Sequence, residues 1–301
     1  MLSRTLRATS VLLAAVSIVA CGGGQTSDEN GDTVNTHGSD AGDNHDAANP
    51  NFDSKFVIGI DGISGFDSLS ADQKNALRES RVFFEHMSVG DDIVRGHNNW
   101  SPPWQSGTNF LGFEFRTVGG AADYATSTLG DSTFGFNGNP FDKISAFSNS
   151  VRVEIGSVVQ IAGFKFCYND ITTTATPNIS DVINAYRAAF ESIEAALPNS
   201  VFFHVTTPLQ PAEEWHTVEN NTLRASFADF LRGNYAGGKH VVFDLQAIES
   251  TKANGDNCTQ SGVPVLCSEW AADRDGHLSG AGSTRAAKAF LYSLHVARGL
   301  L

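Results

Sequence analysis

Short apolar runs alternate with segments of helical periodicity through most of this chain, and that alternation restricts the architecture most. Arg81–Glu85, Phe113–Val118, Val158–Phe166, Val201–Thr206 and His240–Leu245 are strand-length and bounded by polar residues. Between and around them lie helical segments: Ser70–Ser80, Pro140–Ser150, Ser180–Leu197, Thr217–Arg232 and Ala281–Gly299. The clearest is Ser180–Leu197, where Val182, Ala185, Tyr186, Ala189, Phe190, Ile193 and Ala196 fall on one helical face. Strands that alternate with helices predict a doubly wound, five-stranded parallel sheet with helices on both faces, a three-layer α/β/α domain. Such sheets bind ligands beyond the C-terminal ends of their strands.

The ends of the chain divide it further. Arg4 and Arg7 precede the apolar run Val11–Ala20, which is too short to span a bilayer permanently and reads as a signal peptide over residues 1–20. The run closes Ile18-Val19-Ala20-Cys21, which resembles a bacterial lipobox. In that resemblance Cys21 is lipidated, becomes the mature N-terminus and, followed by Gly22, is sorted to the outer membrane. Residues 21–54 are rich in Gly, Asp, Asn, Ser and Thr and are expected to form a disordered tether. Residues 55–301 form the folded domain. The formal net charge of −13 argues against nucleic acid and other polyanions as partners. There are four cysteines. In an oxidising compartment Cys258 and Cys267, which bracket a Gly/Pro-containing loop, are expected to be bridged, leaving Cys167 free. None of the spacings suits zinc, and no metal or organic cofactor is implied.

Three segments carry chemistry. Asp273-Arg274-Asp275-Gly276-His277 lies on the loop that opens the last helix. An acid so close to a histidine can fix its tautomer for general-base work. Ser88 follows the first strand in His86-Met87-Ser88-Val89-Gly90. Strand, sharp turn and helix expose a nucleophilic hydroxyl, although a serine there also serves as a plain helix cap. Asn169 leaves the third strand in Cys167-Tyr168-Asn169-Asp170 and can offer its amide to an oxyanion, or simply form a turn.

Ser88, Asn169 and His277, in this order along the chain, resemble the SGNH (GDSL-type) hydrolase superfamily over roughly residues 78–300. The resemblance implies a flavodoxin-like fold and a serine esterase acting through an acyl-enzyme. It makes Ser88 the nucleophile, His277 the base, and Ser88, a glycine and Asn169 the oxyanion donors. Gly138, just before Pro140, is the favoured glycine, ahead of Gly135 and Gly120. The family's blocks are altered here: His86-Met87-Ser88 replaces Gly-Asp-Ser, and Cys167 replaces a glycine. The usual Asp-x-x-His spacing falls on Arg274. Branches with Asp-x-His, such as the alginate acetyltransferase-like proteins, place the acid at Asp275, with Asp273 as the alternative. Gly276 would let the backbone fold tightly enough for Asp275 to reach the ring. Trp100 and Trp104, held by prolines, and His86 are candidate substrate contacts. An O-acylated carbohydrate or small-molecule ester is the expected substrate. The alternatives are an O-acyltransferase using the same residues, or a non-catalytic carbohydrate-binding lipoprotein with a decayed site.

Overall fold

A computed structural model describes residues 53–97, 109–125, 128–213 and 218–301. The signal and lipidation residues, Trp100, Trp104 and Trp215 lie outside the described residues. The strands are β1 (Val57–Ile58), β2 (Val82–Glu85), β3 (Asn109–Phe110), β4 (Phe113–Thr117), β5 (Leu129–Ser132), β6 (Ile161–Phe164), β7 (Val201–Val205) and β8 (His240–Phe243). They form one sheet in the order β1-β8-β7-β6-β2-β5-β4-β3. Every pairing is parallel except β3 with β4.

The α/β class is therefore the one expected, and at its centre β5-β2-β6-β7-β8 follow the flavodoxin-like order 2-1-3-4-5. The sheet is wider than five strands. The run Phe113–Val118, expected next to β2, is β4 and lies one place further out. β5 occupies the inner place. Leu129-Gly130-Asp131-Ser132 contains a single large apolar residue, so no apolar run announces it. Its buried Asp131 is instead held at Oδ2 by Arg95 and His86.

Helices cover both faces. On one side are α1 (Asp61–Ser68), α2 (Ala71–Arg78), α3 (Val89–Arg95), a short helix α7 (Leu245–Glu249) and α8 (Gly280–Arg298). Phe84, Phe203 and Phe243 of the strands pack there against Phe290 of α8. On the other side α4 (Pro140–Asn149), α5 (Ile179–Ala196) and α6 (Val218–Asn234) cover Phe83, Phe164 and Phe202. Adjacent residues of a strand thus feed opposite cores, as the pleat requires. Local chemistry sets the helix starts. Ser70 and Gln73 make a capping box, Asn139 caps α4 with Pro140 at its first position, and Ser279 caps α8. Cys258 and Cys267 form a disulfide around a small hairpin of β9 (Thr259–Gln260) and β10 (Val263–Pro264). Cys167 is free and buried. No helix among the described residues is long and apolar enough to cross a membrane.

The strand order reverses between β2 and β6. The chain leaves β2 into Ser88 and leaves β6 toward Asn169, so both arrive at the crevice where such sheets bind ligands.

Candidate active site

Ser88 sits on a sharp turn with φ 57° and ψ −114°, a region that an L-residue occupies only when its surroundings hold it there. It stands at the N-cap position of α3, yet its side chain makes no capping bond. Oγ lies instead 2.7 Å from Nε2 of His277, 189 positions along the chain. The plain cap is thereby excluded. Gly90 is the companion of this turn. A Cβ there would sit 2.4 Å from Cβ and 2.5 Å from Cγ of His86, so the imidazole fills the space that a side chain would need.

His277 is oriented by Asp273. Its Nδ1 lies 2.6 Å from Asp273 Oδ2. The other oxygen, Oδ1, accepts from the backbone N–H of Asp275, Gly276 and His277 at 3.0, 3.0 and 3.1 Å. The expectation that Asp275 supports the ring is thus corrected. Residues 273–277 close into one turn around the Asp273 carboxylate, with Gly276 at φ 117° permitting it, and Asp275 contributes its N–H rather than its side chain. Burial pushes the Asp273 carboxyl up. The hydrogen bonds from the ring and backbone of His277 and from Gly276 outweigh it and hold the group below the usual carboxylate range. The loop is pinned from two sides: Leu278 N–H donates to the buried Asp92 of α3 at 3.0 Å, and Gln210 Nε2 donates to the Asp275 carbonyl at 3.2 Å.

The third wall is the turn after β6. Asp170 is fully buried and accepts from Lys143 Nζ at 2.7 Å, Cys167 N–H at 2.6 Å and Gly138 N–H at 2.7 Å. This carboxylate joins the Gly138 loop to the turn that carries Asn169. It also corrects the expected role of Gly138, whose N–H is engaged by Asp170 and is not turned toward an oxyanion. Asn169 is exposed, with its carbonyl 3.9 Å from where a Gly138 Cβ would stand. His86 needs a correction as well. It is fully buried, with Nε2 3.1 Å from Asp131 Oδ2, and no substrate can touch it.

Tyr168 escaped sequence reasoning. Its ring stands edge-on to His277 with centroids 6.1 Å apart. The only signal in the sequence was its place between Cys167 and Asn169. The Tyr168 carbonyl accepts from Nε and Nη2 of the buried Arg224 at 3.1 and 2.8 Å. Arg224 Nη2 also donates to Gln210 Oε1 at 2.7 Å, so one buried cation braces both this turn and, through Gln210, the His277 loop.

No protein-family model matches the chain, and no curated protein does. Among solved structures, a protein from Streptococcus pneumonia described as a platelet activating factor is 12% identical, with a TM-score of 0.42, over 73% of this chain and 89% of that one. Axe2, an acetylxylan esterase from Geobacillus stearothermophilus, is 15% identical, with a TM-score of 0.39, over 72% and 96%. A carbohydrate esterase family 3 protein from Talaromyces cellulolyticus is 13% identical, with a TM-score of 0.36, over 70% and 93%. Likenesses at such TM-scores carry no conclusion about the activity of this chain.

Proposed function

We propose that this protein is a serine esterase of the SGNH type, acting on O-acyl esters with Ser88, His277 and Asp273 as its triad. The observation that carries the reading is the continuous relay Ser88 Oγ–His277 Nε2 at 2.7 Å and His277 Nδ1–Asp273 Oδ2 at 2.6 Å, built on a strained serine. In the mechanism, His277 Nε2 takes the Ser88 proton while Oγ attacks the ester carbonyl, and Asp273 stabilises the imidazolium. The Ser88 N–H and the Asn169 amide hold the oxyanion. The imidazolium returns its proton to the departing alcohol, and water repeats the sequence on the acyl-enzyme.

Carbohydrate O-acetyl esters are the proposed substrate class. Phe136, 77% exposed on the loop that carries Gly138, offers a bare aromatic face to a sugar ring. The Cys258–Cys267 bridge fits an oxidising compartment. Together with the lipobox-like Cys21 it supports an exported, lipid-anchored enzyme at the outer membrane, which palmitate-analogue tagging lost in Cys21→Ser would test. An acyltransferase would differ only in letting a sugar hydroxyl replace water.

The test is labelling by a fluorophosphonate together with turnover of p-nitrophenyl acetate. The wild type is expected to do both and Ser88→Ala neither. A wild type inert to both reagents would leave the non-catalytic binding protein as the correct reading.

A further inference from the structure

We propose that Arg224 is a positioning residue for the reaction: through the Gln210 side chain and the Tyr168 carbonyl it holds the His277 loop and the Asn169 turn in one frame around Ser88. The proposal rests on the esterase reading of the same site.

The first ground is the exposure of the loop that carries the base. Asp273, Arg274 and Asp275 are all exposed, and the Arg274–Glu213 ion pair beside them lies at the surface, where such pairs contribute little. Yet His277 Nδ1 must stay 2.6 Å from Asp273 while Nε2 stays 2.7 Å from Ser88 Oγ. A turn open to water keeps such distances only when the interior grips its backbone. Gln210 Nε2 does so, donating to the Asp275 carbonyl at 3.2 Å. Gly276 also packs onto this segment: a Cβ there would lie 3.0 Å from the Leu209 carbonyl oxygen and 3.5 Å from Gln210 Cγ.

The second ground is what fixes Gln210. Its backbone N–H donates to Asn221 Oδ1 at 3.3 Å, and its carbonyl accepts from Asn221 Nδ2 at 3.1 Å and from the Leu266 N–H at 3.2 Å. Arg224 Nη2 donates to Gln210 Oε1 at 2.7 Å. A guanidinium has donors only, so it binds the amide oxygen and thereby turns the amide N–H group toward Asp275. The same guanidinium grips the Tyr168 carbonyl through Nε and Nη2 at 3.1 and 2.8 Å, one residue before Asn169. Nη1 roots it on Asn221 Oδ1 at 2.6 Å. One planar group thus sets the spacing of two loops that approach Ser88 from different strands.

The third ground is the chemistry of the brace. Arg224 is fully buried, and the acceptors it binds among the described residues are a backbone carbonyl and two side-chain amides. Burial pulls the guanidinium down to about 10, against Glu249 and Tyr168, so it remains a cation at neutral pH. A buried cation that donates to neutral groups costs stability relative to an apolar side chain of similar volume. Such a group suits the ordering of a site better than the filling of a core.

Gln210→Glu isolates the contact. Its carboxylate still accepts from Arg224, now with charge, so the full-length variant should keep or raise its Tm. It puts an oxygen where the Asp275 carbonyl needs an N–H. On p-nitrophenyl acetate kcat is expected to fall about 10²-fold, the scale of a misplacement near 1 Å, with KM nearly unchanged. Arg224→Met, which releases both loops, should lose at least as much. Arg224→Lys, which keeps the charge but lacks the fork that spans the two loops, should recover only part of that loss. An active wild type with a folded Gln210→Glu whose kcat stays within about threefold overturns the proposal and spares the esterase reading. A raised KM at unchanged kcat also overturns it, because the loss then lies in uniform binding. So does a loss confined to the Arg224 variants that matches their loss of folded fraction by circular dichroism, which makes the brace structural alone. A wild type inert to ester and to fluorophosphonate overturns both readings.

Discussion

Asp273 and Asp275 are chemically identical and two positions apart, so composition cannot rank them. Geometry does: Asp273 Oδ2 lies 2.6 Å from the His277 ring, and Oδ1 gathers three backbone N–H groups. Asp273→Asn presents an amide where the ring N–H needs an acceptor and favours the wrong tautomer. We expect kcat on p-nitrophenyl acetate to fall by about 10³–10⁴, as for the acid of other serine triads. Asp275→Asn, which leaves the backbone N–H and carbonyl in place, should stay within about threefold of wild type. The reverse pattern would return the role to Asp275. Which residues approach His277 was legible in the sequence to within this one loop. The choice within it was not, because it depends on a backbone turn that spacing along the chain does not specify.

At the level of elements, the turn between β2 and α3 decides whether Ser88 is a nucleophile or a cap. His86 and Gly90 interlock there, and Gly90→Ala would drive a Cβ to within 2.4–2.6 Å of the His86 side chain. Overpacking of this kind costs about 1–3 kcal/mol. The expected result is a loss of that size in urea unfolding, with a loss of fluorophosphonate reactivity as the turn shifts. Removing the obstacle should restore part of the stability lost. The cost of Gly90→Ala measured in a His86→Gly background, which removes the Cβ as well as the ring, should be clearly smaller than in the wild type, a coupling that a double-mutant cycle reads directly. Equal costs in both backgrounds would show that the two side chains do not compete. The long helices and the strands β2, β6, β7 and β8 were legible, since each carries a periodic or continuous apolar pattern. β5 was not. Its Asp131 survives in the interior because Arg95 and His86, from neighbouring segments, bind its Oδ2.

Across the whole molecule, buried titratable groups set how stability responds to pH. Glu85 ends β2 with Oε2 unpartnered, and burial pushes its carboxyl up to about 8, with Glu154 adding to the rise and Ser150 opposing it. Its pKa is raised on folding, so its contribution is fully present below the ordinary value of 4.5 and is lost as pH rises to about 8. The slope is up to ~1.4 kcal/mol per pH unit in that window. His204 acts in the opposite sense. Burial, and then His240, hold it well below its ordinary 6.5, so stability is lost as pH falls below that value. Glu85→Gln stays neutral in both states. Unfolding in urea at pH 5 and pH 8 should show the wild type losing more stability than the variant across the interval. Parallel changes in the two proteins would mean that Glu85 is ionised in the folded state.

The sequence by itself determined the alternation of strands and helices, the parallel sheet that follows, and the convergence of Ser88, Asn169 and His277 on its C-terminal edge. These depend on periodicity and on chain order, which are local and readable. Only the tertiary structure decided that Asp273 holds His277, that His86 is sealed in the core, that Asp170 engages the Gly138 N–H and that the Tyr168 ring stands edge-on to His277. Each of those outcomes depends on where segments far apart in the chain place their last few ångströms, and hydrogen-bond energies change over that range.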